Sequence, residues 1–173
     1  MSPENTSGSK MNARAKIRIA LIAALIFPTV LAAQNRLEDD LARYQHETDP
    51  VHKARILAKM GDSQVELARR QLKEGHEEAS LHTLEQYRDE VHETVAALNK
   101  TGVDAERKPA GFKELQINLR ETVRRVDDLI FTLEVDKRPF FRAVRNDLFT
   151  DQNTLIDELF PRKPDHAAPK SEP

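Results

Sequence analysis

From Gln34 onward the apolar side chains return every three or four positions, the period of an amphipathic helix. Leu37, Leu41 and Tyr44 predict a short first helix that ends by Pro50. Asp49 is a good N-cap, and Pro50 suits the first position of a second helix, where its missing N–H costs nothing. That helix carries Val51, Ala54, Leu57, Met60, Gln64, Leu67 or Ala68, and Leu72 on one side. Gly61 interrupts it at about 1 kcal/mol relative to alanine, so a bend or a break is expected there.

Gly75 reads as a left-handed terminator, and Ala79, Leu81, Leu84, Tyr87, Val91, Val95 and Leu98 then mark a third helix, giving an αα-hairpin. A linker, VDAERKPAG, follows Gly102. The fourth helix has the cleanest stripe: Phe112, Leu115, Leu119, Val123, Val126, Leu129 or Ile130, and Leu133. The fifth starts at Pro139 and turns Phe141, Val144, Leu148, Leu155 and Leu159 inward, with Phe140, Phe149 and Phe160 thickening the stripe until Pro161 stops it. No segment alternates at period two for a useful length. The expected fold is all-α, an antiparallel bundle of four to five helices built from αα-hairpins over residues 34–161. The proline-rich, polar stretch 162–173 is expected to be a disordered tail.

Ahead of the bundle lies an apolar run from Ile19 to Ala33. As a helix it would rise roughly 22 Å against a hydrocarbon core of about 30 Å, and Pro28 sits inside it. Lys10, Arg14, Lys16 and Arg18 precede the run, and at its downstream end Val30 with Ala32, or Leu31 with Ala33, stand at the spacing a signal peptidase reads. Residues 1–33 therefore read as a signal peptide, with Met11 an alternative start and cleavage expected before Ala33 or Gln34. That predicts export by the general secretory route to a periplasmic or secreted location. The alternative is an uncleaved anchor over residues 17–33, spanning by tilt or bilayer thinning. A lipoprotein would need a cysteine, and the chain has none.

Charge narrows the function classes further. Loss of Lys10, Arg14, Lys16, Arg18 and Glu4 with the leader takes the 27 basic and 29 acidic residues to 23 and 28, a formal charge near −5. An acidic domain lacks the net basic face that nucleic acid demands. Without cysteine there is no thiol chemistry, and without tryptophan aromatic binding platforms are poorly supported.

The hairpin ILAKMGDSQVELARRQLKEGHEEASLHTLEQY sets small and large apolar residues in two helices around a glycine-bearing turn and resembles a single tetratricopeptide unit. That family repeats at about 34 residues, and no second copy follows, because the fourth and fifth helices lack the glycine turn and the alanine pattern. A closer resemblance, over Asp49 to Leu98, is to an uncharacterised helical-hairpin domain of exported or membrane-anchored bacterial proteins. That domain also opens with Asp-Pro and has a glycine turn followed by Ala, Leu and Tyr positions. The resemblance implies a fold and an exported location, and no activity.

Few residues carry candidate chemistry. His76, Glu78 and His82 are the candidates for a metal or ligand site on the third helix, with His92, Glu85 and Asp89 nearby. Their spacing converges poorly, since His82 and His92 are separated by some 80° around the helix axis, so no metal or cofactor is expected. Ser63, Ser80 and Ser171 lie in no nucleophile turn, and adjacent carboxylates such as Asp127 and Asp128 diverge by about 100°, so no enzyme is expected. Arg120, Arg124, Arg125, Lys137, Arg138, Arg142 and Arg145 gather positive charge on the last hairpin. They suit an anionic partner such as a lipid headgroup, a cell-wall polymer or an acidic protein. The competing expectation is pairing along their own helices, Glu121 with Arg125 and Glu134 with Arg138. The reading that results is a non-catalytic binding or scaffolding module of the cell envelope, with an unknown protein or envelope component as partner. Its alternatives are a ligand- or metal-sensing bundle and a homo-oligomer.

Overall fold

The computed structural model describes residues 37–161; the expected signal peptide or anchor and the expected disordered tail lie outside the described residues. Five helices and no strand are found there: α1 over 37–46, α2 Pro50–Lys73, α3 Glu77–Lys100, α4 Phe112–Thr132 and α5 Arg138–Leu159. No described helix is long and apolar enough to cross a membrane.

The chain signals act as local chemistry predicts. Asp49 caps α2, its Oδ2 accepting the His52 N–H at 3.0 Å, with Pro50 in the first turn. At the other end Gly75 takes φ +81°. His76 N–H then donates to Gln71 O and Gly75 N–H to Leu72 O, the paired bonds of a left-handed helix stop. Glu77 and Glu78 open α3 where the helix dipole favours negative charge, while Arg70 and Lys73 close α2 where it favours positive.

Cross-helix pairs fix the arrangement. Lys53–Glu93 and Gln71–Thr83 run in opposite directions, so α2 and α3 are antiparallel. Asp127–Arg145 and Leu133–Arg138 do the same for α4 and α5. The two hairpins then lie side by side in parallel alignment. Arg88–Asp147 and His92–Asp151 advance together along α3 and α5, and Arg55–Glu114 and Asp62–Arg125 advance together along α2 and α4. The segment 101–111 accordingly carries the chain over one end of the bundle, from α3 to the helix diagonally opposite. Gly111, at φ +84°, makes that approach possible, because a Cβ there would come within 3.1 Å of Val51 Cα at the start of α2. The two hairpins share one core, with Leu57, Met60, Leu84, Leu98, Leu115, Leu119, Leu148 and Leu155 buried at its centre.

Two expectations change. Gly61 neither breaks nor ends α2, which runs unbroken from Pro50 to Lys73. Instead Gly61 is buried beneath a hydrogen bond that spans the interior from Tyr87 Oη to Asn118 Oδ1 at 2.9 Å, leaving no room for a side chain. Phe140, Phe149 and Phe160, expected to thicken the inward stripe of α5, are exposed. They lie beside the stripe, and α5's inner row is completed by Asp151 and Gln152.

Helix α1 packs Leu37 and Leu41 against the core and is anchored by Tyr44. Tyr44 is buried, and its hydroxyl lies 2.9 Å from both the Glu90 carbonyl and Thr94 Oγ1 on α3. Lys53 lies 4.5 Å over its ring and pairs with Glu93 at 3.2 Å. Burial pushes the Tyr44 phenol up to about 12. Tyr44→Phe keeps the ring and removes the hydroxyl, so it should cost about 1 kcal/mol of α1 docking. Amide exchange checks this: positions 37–46 should exchange about five-fold faster while the centre of α3 is unchanged.

Candidate functional site

The cationic surface expected on the last hairpin is largely neutralised. Arg124 donates to Glu121 at 2.7 Å and holds that carboxyl below the usual range. Arg125 pairs with Glu121 and with Asp62 of α2. Arg145 grips Asp127 of α4 through Nε and Nη2, both at 3.0 Å, and stacks on Phe149. Lys137 pairs with Glu77 at 3.2 Å. Arg138 does not pair with Glu134 as expected, because α4 ends at Thr132 and the four-residue helical spacing is lost. It caps the end of α4 instead, donating to Leu133 O at 3.0 Å. Arg120 and Arg142 are exposed.

The histidine candidates are not brought together into a site. His76 lies in the α2–α3 turn against Glu74 at 3.7 Å, while Glu78 and His82 face solvent from α3. Among the described residues no three His, Asp or Glu side chains are grouped so as to hold a metal ion.

Two other features concentrate chemistry. The first is the bundle end where α4 turns into α5. Phe131 is 78% exposed, Val135 76% and Phe140 60%; together with Phe160 they are the most exposed of the large apolar side chains among the described residues. Beside them lie a groove of about 740 Å³ between the ends of α2 and α4, where Leu72, Leu129 and Leu133 lie among Arg69, Lys73, Asp128 and Glu134, and a smaller one of about 250 Å³ at Phe140 and Leu81. Sequence reasoning missed this surface, since it placed Phe140 on the inner stripe.

The second is a polar cleft of about 280 Å³ between α3 and α5, lined by Arg88, Asp89, His92, Asp147, Thr150 and Asp151. Parallel alignment of the two helices builds it. Arg88 reaches Asp89 at 2.8 Å and Asp147 at 3.5 Å. His92 Nδ1 lies 3.2 Å from Asp151 Oδ1. The Asp151 side chain is only 7% exposed, its Oδ2 is buried with no hydrogen-bond partner, and burial pushes its carboxyl up. The signal was present in the spacing, because Asp151 stands three after Leu148 and four before Leu155, on the inner row itself.

No protein-family model, curated protein or solved structure matches this chain.

Proposed function

We propose that the chain is an exported, non-catalytic binding module of the bacterial cell envelope, and that it docks a partner protein through the α4–α5 end of the bundle. The observation that carries this reading is the exposure of Phe131, Val135 and Phe140 around a single turn. Isolated exposed apolar residues are ordinary on a folded surface, but several at one end, beside grooves that mix leucine and phenylalanine with charged side chains, suit an interface centre with a polar rim. Lys137 and Arg142 with Glu134 and Asp136 supply the polar surroundings that a docked protein would meet. The leader-like residues 1–33 support the envelope location.

A photo-crosslinking side chain in place of Val135, in the full chain expressed with its leader, tests the docking surface. One discrete adduct with a different protein is expected, saturating with expression level. It should disappear when Phe131 and Phe140 are both replaced by serine, changes that leave the melting temperature within a few degrees because both side chains are outside the core. Adduct formation equal to that of a crosslinker at exposed Lys59 would overturn the proposal. So would an adduct of twice the chain's own mass, which would make the surface a self-association face.

A further inference from the structure

We propose that α1 is a pH-released strap: Tyr44 latches it onto α3 at Glu90 while the Glu90 carboxyl holds its proton, and α1 comes away when that proton leaves. Among the described residues, the hydrogen bonds of α1 to the rest of the bundle all run through the Tyr44 hydroxyl, to the Glu90 carbonyl and to Thr94 Oγ1 at 2.9 Å each. Its one ion pair, Asp40 with Arg43 at 3.7 Å, is internal to the helix. Leu37 and Leu41 add only partly buried contacts, and a three-residue joint, 47–49, leads to α2. The helix can therefore leave without disturbing the core of the two hairpins.

The latch lies on the residue whose charge the bundle tolerates least. Glu90 Oε2 is buried without a hydrogen-bond partner, which favours the neutral acid over the carboxylate. From α2 it meets Lys53, but that ammonium is already engaged with Glu93 at 3.2 Å and with the Tyr44 ring at 4.5 Å. On α3 itself Glu93 and Asp89 oppose a further negative charge. From α1 it meets Tyr44, whose phenol burial pushes up to about 12, and burial raises Tyr87 on α3 as well, so both stay neutral where Glu90 titrates. Ionisation thus sets an unpaired charge beside the latch, and opening α1 lets water reach it. With the carboxyl raised to about 7, the coupling favours the docked strap fully below the ordinary value of 4.5 and is lost as pH rises through about 7.

The chain has no cysteine, so Leu41→Cys places a single thiol under the strap. Its alkylation rate, divided by that of a Lys59→Cys thiol exposed on α2, cancels the pH dependence of the thiol chemistry. The ratio should rise on the order of tenfold between pH 6 and 8, and stay flat when Glu90→Gln is added. Linkage is reciprocal, so carbon-13 NMR of the Glu90 carboxyl should show its midpoint falling by at least about one pH unit in Tyr44→Ala, where the latch is gone. That titration decides the matter if Leu41→Cys alone frees α1, which a ratio near one at every pH would reveal. An equal rise in Glu90→Gln, which keeps His46 and His52 at this end of the chain, would overturn the proposal. So would an unmoved Glu90 midpoint in Tyr44→Ala, which would place the burial within the α2–α3 hairpin. The α4–α5 surface takes no part, so either result leaves the docking reading as it stands.

Discussion

Replacing Gly61 by alanine should lower the stability of the bundle by about 2 to 3 kcal/mol, although the same change in an ordinary helix interior gains about 1 kcal/mol. A Cβ at this position would fall 2.6 Å from Tyr87 Oη and 3.0 Å from Asn118 Cγ, and closer still to Asn118 Oδ1. The Tyr87 ring cannot retreat, because it is fully buried at the centre of the core. Asn118 can swing aside only by giving up the hydrogen bond from Tyr87 and the weaker one from Thr122, at 2.9 and 3.4 Å. That strands a buried hydroxyl at about 1 to 3 kcal/mol, and residual overpacking adds a similar amount. Urea unfolding gives the free energy, and the melting temperature should fall by roughly 10 °C. The decisive comparison is the same substitution in a Tyr87→Phe, Asn118→Ala background, where both obstructing polar groups are gone. There Gly61→Ala should be neutral or stabilising. A stabilised Gly61→Ala in the wild-type chain would mean that helix propensity, and not the Tyr87–Asn118 bond, governs this position.

Gly61 also marks the boundary of what was legible from the chain alone. Helix identity and extent were readable because amphipathic spacing decides them: Leu115, Leu119, Val123 and Val126 of α4 can be buried together only by a helix, and for α2 Asp49-Pro50 and Gly75 place the ends by local geometry. The role of Gly61 depends on Asn118, far along the chain, so propensity was the only available guide and it pointed to a bend. The same distance hid the α3–α5 cleft. Asp151 occupies an inner-row position, but charge argues for a solvent-facing one until His92 is placed opposite it. Ion pairs were legible where helix geometry alone sets them, as for Glu121 with Arg125. They were not where tertiary packing does, as for Asp127 with Arg145 and Asp62 with Arg125. The exposed face of Phe140 was lost for a related reason. Phe140 diverges by about 100° from the inward Phe141, and whether a neighbouring helix covers that flank is set by tertiary packing, which leaves it open.

Glu90→Gln should make the protein more stable above neutral pH, by roughly 1 to 2 kcal/mol at pH 8, and change little at pH 4. Glu90 sits on α3 beneath the docked α1, and its Oε2 is buried without a hydrogen-bond partner. Burial raises its carboxyl to about 7; Lys53 on α2 opposes the shift, and Glu93 and Asp89 on α3 reinforce it. The folded state therefore binds the Glu90 proton more tightly than the unfolded chain does. The resulting stabilisation is complete below the ordinary carboxyl value of 4.5 and is lost as pH rises through about 7. The full linkage energy is reduced because the side chain is only partly buried and solvent screens its charge. Glutamine keeps the shape and cannot ionise, so denaturation midpoints measured between pH 4 and 8 should slope downward for the wild type and much less for Glu90→Gln. A residual slope should remain from Asp151, whose carboxyl burial also raises, and Asp151→Asn should reduce it further. Because the Glu90 carbonyl accepts from Tyr44, the charge that develops at this residue should also loosen α1. Exchange at positions 37–46 should then quicken with pH beyond the intrinsic chemical rate, in the wild type and not in Glu90→Gln. Parallel stability curves for the two proteins would show that Glu90 finds enough water or cation to ionise as an ordinary carboxylate.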